Sequence, residues 1–91
     1  MNQITSPRVN GALLSQYQGK TVRLVGRVVN YQPGSPTANI EASDGVTVTI
    51  RLNPVSQISS SFIEVLGTVN PDNSLSEIQS TSFGDNFGTF L

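Results

Sequence analysis

Apolar and polar residues alternate along most of the chain, and the alternation breaks at glycines and prolines. The longest such stretch is Thr21 to Tyr31, Thr-Val-Arg-Leu-Val-Gly-Arg-Val-Val-Asn-Tyr. Period two places Val22, Leu24 and Val28 on one side of an extended strand, with Arg23, Arg27 and Tyr31 on the other. Gly26 interrupts this strand, and a glycine inside a β-branched run marks a sharp bend or a bulge. The pattern returns in Val65-Leu66-Gly67-Thr68-Val69. Two strands that each bend at a glycine predict a small, strongly curved barrel.

The remaining elements fit that shape. Met1 to Pro7 reads as a flexible lead, and residues 8–91 as a single domain. Val9, Leu13 and Tyr17 recur at a spacing of four, with Leu14 beside them. This predicts a short amphipathic helix, capped by Asn10 and stopped by Gly19. A turn, Gln32-Pro33-Gly34-Ser35-Pro36, leads to a strand from Thr37 to Ser43 with Ala38, Ile40 and Ala42 on its inner face. Asp44-Gly45 signals a two-residue hairpin. The next strand, Val46 to Leu52, turns Val46, Val48, Ile50 and Leu52 inward. After a short connection from Val55 to Ser60, Phe62 to Val69 sends Ile63, Val65 and Val69 inward, leaving Phe62 and Leu66 as an outward apolar pair. Asn70-Pro71-Asp72-Asn73 is a turn, and Ser74 to Ser82 a weaker strand. The sum is an all-β domain, a five-stranded OB-fold barrel with a short N-terminal helix, for which an SH3-like barrel is the main competitor.

Composition narrows the function. Net charge is -1, from five basic and six acidic residues in 91. A domain that grips nucleic acid by itself is usually basic, because neutralising phosphates supplies much of the affinity. Without cysteine there is neither a disulfide framework nor a thiolate metal site, and without histidine the commonest metal ligand and general base are missing. Glu41, Asp44, Glu64, Asp72, Glu77 and Asp85 are scattered, at no spacing that argues for an acid/base pair, and read as turn formers and surface charges. Lys20 is the sole lysine, and no glycine-rich phosphate loop is present. No catalysis and no cofactor are expected. The polar stretch Met1 to Arg8 lacks the apolar core of a signal peptide, so an intracellular compartment is the default expectation.

Several short motifs occur in a telling order: Arg8-Val9-Asn10, Leu13-Leu14 with Tyr17, Val25-Gly26-Arg27, Ser43-Asp44-Gly45, Ile63-Glu64-Val65-Leu66-Gly67-Thr68-Val69, and Phe87. In this set the chain resembles the small subunit of replication protein A, the eukaryotic single-stranded-DNA-binding heterotrimer. The resemblance implies a single OB-fold with a mostly architectural role. Its partners would be the middle and large subunits, whose own OB-folds hold most of the DNA, in replication, repair and recombination. It also implies a nuclear location, reached alongside a partner because no basic import cluster is present. A long C-terminal helix that joins a bundle with the partners would begin about where Leu91 stands. The small OB-fold subunit of a telomere-protecting complex resembles the same template and stands as the alternative.

Two sets of residues are candidate sites. Arg23, Arg27 and Arg51, with Tyr31 and Phe62, could line a groove in which guanidinium groups meet phosphates and rings stack bases. The plainer reading is a solvated face whose arginine stems cover neighbouring valines. The second set is Phe83, Phe87, Phe90 and Leu91 in a glycine-spaced tail, with Val25, Val29 and Leu66 as outward apolar surface. Either the tail folds back over that surface, or a partner covers it. A freestanding barrel that binds a peptide or an oligosaccharide is a further possibility, for which the sequence offers no positive feature.

Overall fold

The structure is a computed structural model and describes residues 6–54, 58 and 60–84, with Phe83 and Gly84 described by their backbone alone. Among the described residues six strands and one short helix follow in the order β1 (Arg8–Val9), a 3-10 helix (Gly11–Gln16), β2 (Thr21–Asn30), β3 (Thr37–Ala42), β4 (Thr47–Arg51), β5 (Phe62–Val69) and β6 (Leu75–Gly84). The sheet runs β1-β2-β3-β4-β6-β5, and an added β2–β5 pairing closes it into a barrel. β4 and β6 are parallel neighbours, with Ile50 opposite Leu75. Five curved strands closed in this order make the expected OB-fold. The two-residue β1 is an addition, lying parallel to β2 with Arg8 opposite Arg23.

The two glycine bends behave as the sequence suggests. β2 pairs with β5 from Thr21 to Arg27 and with β3 from Gly26 to Asn30, so Gly26 sits where the strand passes from one neighbour to the other. A Cβ there would lie 2.5 Å from Ile40 Cγ2 and would collide with the Glu41 carbonyl oxygen. At Gly67 the Cβ would lie 2.5 Å from the Ser76 carbonyl oxygen. Backbone packed this closely leaves no room for a side chain.

Alternation delivers the core. Val22, Leu24, Ile40, Ile50, Ile63, Val65, Val69 and Leu75 are almost wholly buried, and Ala38, Ala42 and Val48 nearly so. Leu14, from the helix, joins the same cluster, with Leu13 and Tyr17 packed against it. Asn10 caps this helix as expected: its Oδ1 accepts from the Leu13 N–H at 3.1 Å. The helix is a single 3-10 stretch, the form that very short helices favour. Val9, expected on its apolar stripe, is instead a buried residue of β1.

Two further departures have a local cause. The β3–β4 hairpin holds three residues, Ser43 to Gly45, between Ala42 and Val46, whose backbone groups bond at 2.9 Å. Gly45 takes φ 84 in it, as a type I turn followed by a left-handed residue requires. Val46 therefore lies beyond the barrel rim and is 39% exposed, not inward. Ladder irregularities leave one extra residue each at Val29 in β2, Ile78 in β6 and Phe83 in β6. Val29 is exposed, as expected of its outward position, and Ile78 is exposed as well. Of the expected connection after Pro54, Val55 falls outside the described residues, while Ile58 packs partly buried against the core.

Candidate functional site: two outer faces of the barrel

The pairing registers set out a grid on the outside of β1, β2, β5 and β6. One row reads Arg8, Arg23, Leu66, Gln79; the next Val25, Glu64, Thr81; the third Arg27 and Phe62. Glu64 lies at its centre and is 8% exposed. This corrects its reading as a surface charge. Its burial is tolerated because it is paired: Oε2 accepts from Arg8 Nε at 2.9 Å and lies 2.7 Å from Arg8 Nη2, and Oε1 lies 3.6 Å from Arg23 Nη1. Part of the signal was present in the sequence, although the arginine that covers Glu64 was not marked there. A carboxylate whose outward neighbours two positions away, Phe62 and Leu66, are both large and apolar is a charge on a covered face.

Arg27 and Glu41 are directly opposite across β2 and β3, and their side chains meet at 2.6 Å. This pair borders a shallow cleft of about 270 Å³ lined by Val25, Gly26, Ala42, Ser43 and Phe62. A smaller cleft of about 100 Å³ lies between Arg23, Glu64, Leu66, Gln79 and Thr81. The apolar surface expected at Val25 and Leu66 therefore stands among charges, whereas Val29 is 42% exposed in its bulge at the far end of β2. Phe83 is placed in β6 by its backbone; its side chain and all of Phe87, Phe90 and Leu91 lie outside the described residues.

The second face is the outside of β3 and β4, where Thr37, Asn39, Glu41, Thr47, Thr49 and Arg51 project. In OB-folds the corresponding second and third barrel strands, with the loops beside them, form the usual oligonucleotide surface. Here that face is small and polar, with Thr49 Oγ1 donating to Asn39 Oδ1 at 3.2 Å. Tyr31 sits at its edge, in a cleft of about 200 Å³ shared with Gln32, Ser35, Thr37 and Asn39. Arg51, opposite Thr37, bonds Asp72 Oδ2 at 3.0 Å and Ser74 Oγ at 3.2 Å. Asp72 also accepts from the Ser74 hydroxyl and N–H. These bonds, with Arg51 beside them, lower its pKa to about 2.

The five residues considered for a nucleic-acid groove are thus divided. Arg23, Arg27 and Phe62 share the β2–β5 face, while Tyr31 and Arg51 flank the β3–β4 face. Asp44, read as a hairpin former, does more: it accepts from the Gly11 and Ala12 N–H groups at 3.2 and 3.0 Å, tying the hairpin to the start of the helix. Those backbone bonds, Ala12 first, lower its pKa. Among the described residues no three metal-ligating side chains gather.

Compared with known protein families, residues 1–90 match the family described as Replication factor A protein 3. The chain belongs to that family. Among its curated relatives are two replication protein A 14 kDa subunits from Arabidopsis thaliana. One is 33% identical over 79 residues, covering 87% of this chain and 72% of the relative. The other is 31% identical over 81 residues, covering 89% and 74%. A chain in the structure of U. maydis replication protein A bound to ssDNA superposes with a TM-score of 0.82 at 34% identity, over 90% of this chain and 76% of its own. One in the S. pombe Stn1-ten1 complex gives 0.70 at 16% identity, over 98% and 88%, a likeness of fold. The family membership expected from the ordered motifs is borne out.

Proposed function

We propose that this chain is a non-catalytic assembly subunit of a replication protein A-type complex, joining a middle and a large subunit in the nucleus. The complex would hold single-stranded DNA mainly through those partners and would serve replication, repair and recombination. The observation that carries this reading is the state of the arginines. Each of the four, Arg8, Arg23, Arg27 and Arg51, has a carboxylate oxygen within 4 Å. Guanidinium groups that already face a carboxylate, hydrogen-bonded at Arg8, Arg27 and Arg51 and 3.6 Å away at Arg23, release few counterions on meeting phosphate. The β3–β4 outer face projects no aromatic side chain of its own and has a single ring, Tyr31, at its edge among the described residues. Family membership supports the rest, since the U. maydis neighbour belongs to replication protein A bound to ssDNA. The telomere-complex alternative has support from fold likeness alone.

Co-expression with the middle subunit of a replication protein A-type complex tests this. A stable complex that survives gel filtration is expected. A chain that elutes alone as a compact monomer with that subunit present would overturn the reading.

A further inference from the structure

Charge is unevenly placed on this barrel. The outer β1–β2–β5 face holds Arg8, Arg23 and Arg27 against two carboxylates, Glu64 and, at its border, Glu41. Elsewhere among the described residues Lys20 and Arg51 stand against Asp44, Asp72 and Glu77. Among the described residues, that face therefore holds the positive excess.

That excess has an address. Arg8 takes Glu64 Oε2 through two of its nitrogens, at 2.9 and 2.7 Å. Arg23 is left 3.6 Å from Oε1, beyond hydrogen-bond distance, with its side chain 41% exposed. One carboxylate thus serves two guanidinium groups and positions Arg23 without occupying its donors. Leu66, Gln79 and Thr81 complete the cleft beside it. Two positions along β2, about 7 Å away, Val25 leads into the apolar cleft formed with Ala42 and Phe62.

We propose that this face receives a segment of a companion protein subunit that offers a carboxylate to Arg23 and an apolar side chain to the Val25–Ala42–Phe62 cleft. The proposal rests on the assembly reading above and gives it a surface. Charge complementarity favours an acidic protein segment over a nucleic-acid strand. A strand needs a track of several cations and open ring faces, whereas Glu64 and Glu41 interrupt any such track here. Arginine beside aromatic and aliphatic residues, rimmed by polar groups, is the composition of protein interfaces.

The test uses the full chain co-expressed with the middle subunit, with affinity read by sedimentation across a dilution and salt series. Arg23→Gln is expected to weaken association by about tenfold or more and to flatten its salt dependence. Arg23→Lys should recover part of the loss, and Arg51→Gln, on the other face, should change affinity by less than about twofold. Leu66→Gln is the second variant, for the case in which Arg23→Gln disturbs folding; it should also weaken association, and thermal melts of each chain alone report the fold. Wild-type association that tolerates both Arg23→Gln and Leu66→Gln overturns the docking face and leaves the assembly reading standing. Absence of wild-type association overturns both. Loss of oligo-dT binding in Arg23→Gln, with subunit association intact, assigns the face to nucleic acid and rejects the proposal.

Discussion

On the outside of β3 and β4 the side chains are Thr37, Asn39, Glu41, Thr47, Thr49 and Arg51; on the outside of β2 and β5 they are Arg23, Val25, Arg27, Phe62, Glu64 and Leu66. Both faces come from strands with the same inward pattern of Val, Ile, Leu and Ala. One is small, polar and wet. The other mixes large apolar groups with charges and buries a carboxylate at its centre. The face that OB-folds commonly turn to oligonucleotides is here the plainer one. The larger apolar groups and the buried carboxylate lie on the neighbouring β2–β5 face.

The strongest way to break this comparison is at Gly26, where β2 joins the two faces. Gly26→Val forces Cβ and its methyls into Ile40 and the Glu41 backbone. We expect a loss of about 3 kcal/mol or failure to fold. At Gly34, whose Cβ would meet nothing but whose φ is 87, alanine should cost only about 1 kcal/mol. Urea titrations of the two variants compare them directly; equal losses would mean that the crossover at Gly26 is not close-packed.

Next in size is the contrast between two carboxylates, one on each side of β2. Glu64→Ala removes a covered partner from two arginines and should cost about 2 kcal/mol in urea unfolding. Glu41→Ala removes a pair whose side chains are 53% and 37% exposed, and should cost about 0.5 kcal/mol. A reversed order would return Glu64 to the status of a surface charge.

A smaller effect belongs to acid. The folded pKa of Asp72 is about 2, below its ordinary 3.8. Its contribution is therefore fully present above about pH 4 and is lost as pH falls through about 2. Asp44, also lowered, acts in the same direction. Thermal melts of the native chain and Asp72→Asn should differ modestly at neutral pH and converge near pH 2. Curves that stay parallel down to pH 2 would rule out that linkage.

Much of the barrel was legible because its inner face obeys period two without exception at Ala38, Ile40 and Ala42 and again at Val48 and Ile50. Gly26 and Gly67 announced the bends because only a missing side chain permits the backbone contacts found there. Val46, expected inward, was less legible, and the bulges at Val29 and Ile78 left no mark in the pattern. Each sits where register depends on a bulge or a loop length, and such choices follow from pairing with distant strands. Glu64 was misread for a related reason. Its cover comes from Arg8, 56 residues away in sequence, through a two-residue strand too short to leave a pattern. The arginines were visible as a basic stripe, but the carboxylates that answer them lie on other strands or, for Arg51, in the turn between β5 and β6.

The smallest predicted effect is also the most direct check on whether this barrel meets protein rather than gripping DNA itself. The measurement is a low-salt fluorescence titration of the isolated chain with oligo-dT, repeated with Arg27→Ala and Tyr31→Ala. Weak binding that neither substitution changes by more than about twofold is expected. Tight, saturable binding that is abolished by either substitution would contradict the protein-docking assignment.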